Sequence, residues 1–231
     1  MRYFVSLAFG FVVGVILFAY LVYANPLHPR KLISPLIVSD NTVMVLNYSA
    51  VPRDVLLYTN NGEANVAPKP AQVQQLWEEP VRRTTAMVTV MADSRGRIAG
   101  IGVKLSSDSE RTNLLQGRAL VDSVWHIYLP KRGSLFIEQT ENYWDYLRNV
   151  VVPAHRSSGD SWRGNWRGNI TAGPTGLNTA IVSGGSGQFR GLRAEAVEAL
   201  IARAYSAQTG PVAVDGELSV EFPAAGGHER D

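Results

Sequence analysis

The sequence contains no cysteine, and this excludes several kinds of site at once. Without thiols the chain cannot form disulfides, iron–sulfur clusters or thiolate-bound metal centres. Its histidines, His28, His126, His155 and His228, are scattered and lack the spacing of a zinc site. Neither a phosphate-binding Gly-Lys-Ser/Thr loop nor a complete dinucleotide fingerprint occurs. We therefore expect a protein that uses no metal and no nucleotide cofactor.

The sequence also lacks an excess of positive or negative charge. The chain has 22 Lys and Arg residues against 20 Asp and Glu residues, which gives a formal net charge of +2. No dense basic stretch interleaved with aromatic residues is present, although such a stretch is typical of nucleic-acid-binding domains. A nucleic-acid partner is therefore not expected.

A long apolar run begins the chain. Residues Tyr3 to Ala24 include no charged residue, and as a helix they would span roughly the ~30 Å hydrocarbon core of a bilayer. We predict that residues 1–24 form an uncleaved transmembrane signal-anchor. Val22-Tyr23-Ala24 would also suit a signal peptidase, so a cleaved signal is the alternative. Insertion as a signal predicts a single-pass membrane protein whose domain is extracytoplasmic, or periplasmic if the source is bacterial.

Composition divides the remainder into three parts. Pro26, Pro29 and Pro35 predict a stiff spacer over residues 25–35. Residues 36–223 are rich in β-branched runs and predict one β-rich soluble domain, with its barrel core at about 84–222. Residues 224–231 are predicted to be a flexible tail.

Alternating residues predict the main strands. Thr84–Met91 and Arg97–Leu105 flank a polar turn typical of a hairpin. In Arg118–Leu129 the odd-numbered residues, including Ser123 and Trp125, share one face. The turn at 130–133 should pair this strand antiparallel with Ser134–Thr140. Further strands are predicted at Thr42–Tyr48, Trp166–Thr171 and Val212–Phe222.

One segment has two interpretations. Residues 192–205 are rich in Ala, Glu, Leu and Arg, and their apolar residues could form the stripe of an amphipathic helix. The family resemblance given next would place a strand there. The sequence leaves both interpretations open.

A glycine-rich segment carries the family resemblance. Gly184, Gly185, Gly187 and Phe189 lie in Gly-Gly-Ser-Gly-Gln-Phe, which resembles the Gly-Gly-Thr-Gly-x-Phe segment of the allene oxide cyclase and dirigent barrels, with Ser186 in place of Thr. Adjacent glycines permit close backbone approach at a tight corner, and Phe189 can fold back into the core. The resemblance covers roughly Thr84 to Phe222.

The resemblance implies a mainly β fold, an eight-stranded antiparallel barrel behind the N-terminal helix. It also implies a lumen that binds an apolar small molecule, frequent assembly into homo-oligomers, and a cofactor-independent cyclase or isomerase activity where the protein is an enzyme. No catalytic residue can be carried over from the family, because nothing outside the glycine segment matches position by position.

The residues themselves suggest one catalytic candidate. Glu138 shares a strand face with Phe136, and if that face lines the lumen, burial would raise the pKa of Glu138 and suit it to acid–base chemistry. Trp125, Tyr128, Phe136 and Tyr143 are the predicted ligand-binding residues around it.

Two other functions remain open on the sequence. The domain could be a noncatalytic envelope scaffold that binds a partner. Alternatively, the tandem Trp162-Arg163-Gly164-Asn165 and Trp166-Arg167-Gly168-Asn169 could hold a carbohydrate or cell-wall component.

Overall fold

A computed structural model describes residues 2–24, 42–51, 57–60, 63–65 and 84–222 of the chain. The predicted spacer at 25–35 and tail at 224–231 lie outside these residues. The N-terminal run forms helix α1, Arg2–Ala24, of 23 residues. Among the residues whose side chains the structure describes, no helix is both long enough and apolar enough to cross a membrane.

The rest of the described chain is mostly strand. The strands are β1 (Thr42–Ser49), β2 (Leu57–Asn60), β3 (Glu63–Asn65), β4 (Thr84–Asp93), β5 (Ile98–Asp108), β6 (Leu120–Leu129), β7 (Gly133–Asn142), β8 (Ser161–Asn169), β9 (Thr171–Gly173), β10 (Ala180–Gly184), β11 (Arg193–Ser206) and β12 (Gly210–Phe222). Between β7 and β8 lies a continuous helical stretch of α2 (Trp144–Tyr146), a π-helical turn (Leu147–Val151) and α3 (Val152–Arg156). Short 3₁₀ turns occur at Leu114–Gln116 and Gly187–Phe189.

Eight of these strands close into an antiparallel barrel. Their order is β1-β12-β11-β10-β7-β6-β5-β4, and β4 returns to β1 through the pairs Leu46↔Asp93 and Asn47↔Ala92. The mainly β class and the eight-stranded antiparallel barrel predicted above are thereby confirmed. The barrel begins earlier in the sequence than the predicted core at 84–222, because β1 is one of its eight strands.

Segment 192–205, which had two interpretations, is a strand. β11 pairs with β12 along its length, with β10 at its start and with β8 at its end. The composition of this segment favours a helix, but strand pairing outweighs it. The backbone groups of β11 are hydrogen-bonded on both sides, by β12 on one side and by β10 and β8 on the other.

Side chains fill one half of the barrel interior. Met91, Trp125, Ile127, Leu129, Leu135, Val182, Phe189, Leu218 and Val220 belong to one core cluster and are at most 4% exposed. The glycine segment closes this end: a Cβ on Gly184 would overlap the carbonyl oxygen of Phe189, and Gly187 has a φ of +61°. Glycine at these two positions lets the loop fold tightly and places Phe189 in the core.

A second, smaller core lies towards the opposite end. Tyr146, Val150, Ile170, Leu200, Ala202 and Val214 form it, with Trp162, Trp166 and Tyr205 packed on its margin. The helical stretch after β7 contributes the first two of these residues, so it covers this end of the barrel from one side.

Candidate active site

Three charged side chains meet inside the barrel. Lys104 on β5 is 5% exposed, and Glu141 on β7 and Glu198 on β11 are each 0% exposed. Lys104 Nζ lies 2.6 Å from Glu141 Oε1 and 2.8 Å from Glu198 Oε1, so one ammonium group bridges two carboxyl groups. We call these three residues the triad. Their mutual attraction offsets a large desolvation penalty, because isolated charges are strongly unfavourable in a protein interior.

Neighbouring side chains hold Glu198 in place. Its Oε1 accepts a hydrogen bond from the Tyr48 hydroxyl, and its Oε2 accepts one from Trp125 Nε1 at 3.0 Å. Gln139 Nε2 also donates to Glu198 Oε2, while Gln139 Oε1 accepts from Thr171 Oγ1 at 3.1 Å. The orientation of the Gln139 amide is therefore fixed, with its NH₂ group towards the carboxylates.

A glycine in β12 makes room for Tyr48. The register pairs Tyr48 with Gly216, and a Cβ at position 216 would overlap the Tyr48 ring. Since the Tyr48 hydroxyl donates to Glu198, a larger residue at 216 would displace a hydrogen bond of the triad.

Glu141 has a different set of contacts. Its Oε1 accepts hydrogen bonds from Ser123 Oγ at 2.5 Å and from Gln139 Nε2 at 2.7 Å, in addition to the Lys104 contact. Its Oε2 accepts from the Tyr143 hydroxyl at 2.6 Å. The two oxygens therefore differ, with three donors around Oε1 and the Tyr143 hydroxyl at Oε2.

Burial and charge shift the two carboxyl groups in opposite directions. Burial raises the pKa of Glu141; the positive charge of Lys104 lowers it and the negative charge of Glu198 raises it again, and the net direction is upward because burial is the largest effect. Burial also opposes ionisation of Glu198, but Lys104 and the hydrogen bonds from Tyr48 and Trp125 lower the pKa of Glu198 below its ordinary value. For Lys104, burial alone would lower the pKa, whereas the two carboxyl groups raise it.

These shifts assign the proton of the triad. With the pKa of Glu141 raised and that of Glu198 lowered, a proton bound by the two carboxyl groups is favoured on Glu141, and Glu198 is the group favoured as the ionised partner of Lys104. Because three donors already point at Oε1 of Glu141, a proton bound to the group belongs on Oε2, and there it reverses the hydrogen bond, so that Oε2 donates to the Tyr143 oxygen and the Tyr143 proton is released for another acceptor. Glu141 and Tyr143 thus form a pair between which a proton can move.

A cavity of about 380 Å³ reaches the triad from the barrel end covered by the helical stretch. Its lining residues are of two kinds. The polar ones are Tyr48, Thr85, Lys104, Ser106, Ser107, Asp108, Tyr143 and Tyr146, and the apolar ones are Ala50, Met87, Val121, Leu200, Pro211 and Val214. This volume lies in the lower part of the range of about 300–1,000 Å³ for small-molecule sites. A chamber of mixed polar and apolar lining, with hydroxyl donors held in place, can bind and orient a small organic molecule.

The structure brings two of the predicted site residues into this region and leaves three outside. Trp125 is buried and contacts Glu198, and Tyr143 lines the cavity. Tyr128 and Phe136 lie on the outer face of the barrel, 53% and 42% exposed. Glu138 is also exposed, beside Thr140 in a groove on the outer surface.

The predicted inward orientation of Glu138 is therefore wrong. Residues directly opposite each other in an antiparallel pair point to the same face of a sheet. Trp125 pairs with Ile137 and Val121 with Glu141, so the odd-numbered residues of β7 face the interior. The predicted set was inconsistent, because an inward Trp125 excludes an inward Phe136 or Glu138.

The catalytic candidate that the sequence analysis missed is Glu141, three residues further along the same strand. The register signal was available, since Trp125 was placed on one face and the turn at 130–133 was recognised. No local pattern indicated Lys104 or Glu198, because these two residues are 94 positions apart in the sequence.

The tandem Trp-Arg-Gly-Asn repeat forms β8. Trp162 and Trp166 pack against the second core, and Cβ atoms at Gly164 and Gly168 would overlap their rings. The Trp166 ring lies 5.4 Å from that of Tyr146, which lines the cavity. The repeat thus supports the cavity wall from behind.

Comparisons with known proteins give structural likenesses alone. No protein-family model and no curated protein matches the sequence. The crystal structure of AbnU, described as an exo-specific intermolecular Diels-Alderase, matches with a TM-score of 0.40 and 12% identity, covering 78% of this chain and 96% of that one. The Diels-Alderase AbmU from Streptomyces koyangensis matches with a TM-score of 0.38 and 10% identity, covering 84% of this chain and 75% of that one.

Proposed function

We propose that the barrel binds a neutral, mostly apolar small molecule in the cavity and isomerises or cyclises it by proton transfer. One observation carries the proposal: Glu141, whose pKa is raised by burial, is hydrogen-bonded through Oε2 to Tyr143, and the Tyr143 ring lines the cavity. A buried acid connected to a small-molecule chamber by a hydroxyl is suited to general acid–base catalysis.

The proton moves along a short path in this scheme. The Tyr143 hydroxyl donates its proton to the substrate and receives the Glu141 proton, which leaves Glu141 ionised beside Lys104. A proton released from another position of the substrate returns by the same route and restores Glu141. The substrate changes in connectivity or double-bond position, and no proton or electron is gained or lost overall.

Lys104 and Glu198 both influence how readily Glu141 gains and loses its proton. The Lys104 ammonium stabilises the Glu141 carboxylate once its proton has left, while burial, with a smaller contribution from the charge of Glu198, keeps the pKa of Glu141 above its ordinary value. Two carboxyl groups whose pKa values are driven apart are a recurring arrangement in acid–base enzymes.

Isotope exchange provides the test. Cyclohexyl phenyl ketone is a neutral probe with an exchangeable proton beside its carbonyl group, and its deuteration in heavy water is followed by mass spectrometry. We expect the full-length protein to accelerate exchange, and Glu141→Gln to reduce the acceleration by about 10²–10⁴-fold, as for a lost general acid–base group. Glu138→Gln is the matched control, because it changes a carboxylate of the same strand on the outer face. Equal exchange with all three proteins would refute the proposal.

We also propose that the barrel is related to the allene oxide cyclase and dirigent superfamily. Its support is the Gly-Gly-Ser-Gly-Gln-Phe segment, together with the antiparallel barrel of eight strands in which this segment closes one end.

We further propose that α1 anchors the protein in a membrane with the barrel outside the cytoplasm. Its support is the uncharged composition of residues 3–24 and the exposure of its large apolar side chains, such as Phe9, Phe11 and Ile16. Protease added to intact spheroplasts should remove the barrel and leave a small membrane-bound fragment. Protection of the barrel until the cells are lysed would contradict this orientation.

A further inference from the structure

The hydroxyl of Tyr146 has no use in the mechanism described so far. Tyr146 is 7% exposed and lines the cavity, yet its hydroxyl has no hydrogen-bond partner among the residues that the structure describes. Buried polar groups are nearly always hydrogen-bonded, because losing water without a replacement partner is unfavourable. A buried donor without a protein partner at the wall of a cavity indicates a partner on the ligand.

Ring packing fixes the position of this hydroxyl. The Tyr146 ring contacts Trp166, Tyr205 and Tyr143, with centroid distances of 5.4, 6.3 and 6.5 Å. Tyr143 immediately precedes α2, three positions before Tyr146, and both side chains line the cavity. One hydroxyl is engaged with Glu141, and the other is held nearby without a partner.

The charges around the cavity narrow the ligand class. The titratable groups that line it are Tyr48, Lys104, Asp108, Tyr143 and Tyr146. The single cation among them, Lys104, already interacts with two carboxyl groups. Its positive charge is therefore not available to bind an anionic ligand. A carboxylate in the cavity would also approach Glu198 and Asp108 and be repelled by them.

We infer that Tyr146 donates a hydrogen bond to the carbonyl oxygen of the ligand, which is a neutral ketone or enone with an otherwise apolar body. This inference rests on the proposed function only in placing the ligand in the same cavity. Tyr146 is then a residue that determines specificity: it selects molecules with an acceptor oxygen and sets that oxygen on the wall that carries the Tyr143 hydroxyl. A carbonyl group held by a donor is also more easily enolised.

Three probes of similar size and different chemistry test the inference. Cyclohexyl phenyl ketone supplies the acceptor, benzylcyclohexane lacks it, and cyclohexylphenylacetate carries a negative charge. Each is titrated calorimetrically into the full-length protein in lipid nanodiscs, with empty nanodiscs as the blank. We expect the ketone to bind most tightly of the three.

Two tyrosine variants make the comparison specific. Tyr146→Phe keeps the ring and removes a hydroxyl that has no protein partner, so the variant should fold, and its affinity for the ketone should fall about 3- to 10-fold. Its affinity for benzylcyclohexane should not change, which also reports an intact cavity. Tyr205→Phe is the matched control, because it removes a neighbouring hydroxyl that does not line the cavity, and it should leave both affinities unchanged.

Several outcomes would overturn the inference. These are an equal loss for ketone and hydrocarbon, no loss for the ketone, tightest binding of the carboxylate, or no binding of any probe to the unaltered protein. Isotope exchange in the same samples separates the two proposals. Binding of the ketone that depends on Tyr146 but is not followed by exchange would refute the proton-transfer function and leave the ligand assignment intact.

Discussion

At the scale of single residues, two carboxyl groups share one lysine and differ in their proton affinity. Glu198 receives hydrogen bonds from Tyr48, Trp125 and Gln139 that favour its charged form. Glu141 is equally buried, but the ionised Glu198 beside it favours retention of its proton. The difference therefore comes from the neighbours of each residue and not from its depth in the protein.

The proton on Glu141 should be directly visible. Because burial raises the pKa of Glu141 above its ordinary value of 4.5, we expect the carbonyl stretch of a protonated carboxyl group in the infrared spectrum at pH values above 4.5. That band should disappear as the pH rises through the folded-state pKa, and it should be missing from Glu141→Gln. An identical band in the variant would assign the proton to another group.

Glu198 should contribute to stability with the opposite dependence on pH. Its folded-state pKa is lowered from 4.5, so its ionised form stabilises the fold above pH 4.5 and this contribution is lost as the pH falls through the folded-state pKa. Glu198→Gln should thus unfold at a lower temperature than the unaltered protein near neutral pH, and the difference should shrink in acid. Melting curves over a pH series measure it, and a constant difference would contradict the assignment.

At the scale of elements, the triad ties together β5, β7 and β11, which lie at separate positions around the barrel. Lys104→Met removes the cation of the triad and leaves two buried carboxyl groups without a positively charged partner. Breaking a buried ion pair in this way typically costs about 3–5 kcal/mol, and we expect a loss of unfolding free energy in that range. Denaturant titration measures it.

A second substitution supplies the control for this prediction. In Lys104→Met combined with Glu198→Gln, one of the unpaired carboxyl groups is neutral, so part of the lost stability should return. If the double variant were less stable than the single one by the full cost of Glu198→Gln alone, the two residues would be energetically independent.

The strands themselves follow closely from sequence. Alternation in β6 and the turn at 130–133 predicted the β6–β7 hairpin, and β-branched runs predicted β1, β4, β5 and β12. The face of β7 was assigned wrongly because Phe136 was taken as an inward residue, whereas it stacks on His126 outside the barrel at 4.5 Å. Pairing across the hairpin would have placed Glu141 inside. The triad could not be predicted, since its members are brought together only when the barrel closes.

The helical stretch after β7 was also missed. Pro153 and the β-branched Val150, Val151 and Val152 give a poor local helix signal. Tertiary packing against β8 and β11 stabilises it instead.

At the scale of the whole molecule, the barrel has a packed half and a hollow half. The cavity of the hollow half is lined by Val121 on β6, among other residues, while Val124 on the same strand faces outwards and is 44% exposed. Val121→Phe should fill part of the cavity and weaken binding of cyclohexyl phenyl ketone by at least about tenfold, since overpacking leaves no room for the probe. Val124→Phe adds the same bulk outside and should leave binding unchanged. Equal effects of the two variants would place the ligand elsewhere.

The packed half has a kinetic consequence. Because Leu129, Leu135 and Phe189 fill the interior beyond the triad, the chamber is blind-ended among the residues described, and a molecule that enters must leave through the doorway it used. If the proposed reaction takes place in this chamber, product that has not left occupies the space of the next substrate, and product inhibition should be competitive. A blind-ended chamber also binds one molecule more readily than two at the same time, which suits rearrangement within a single molecule.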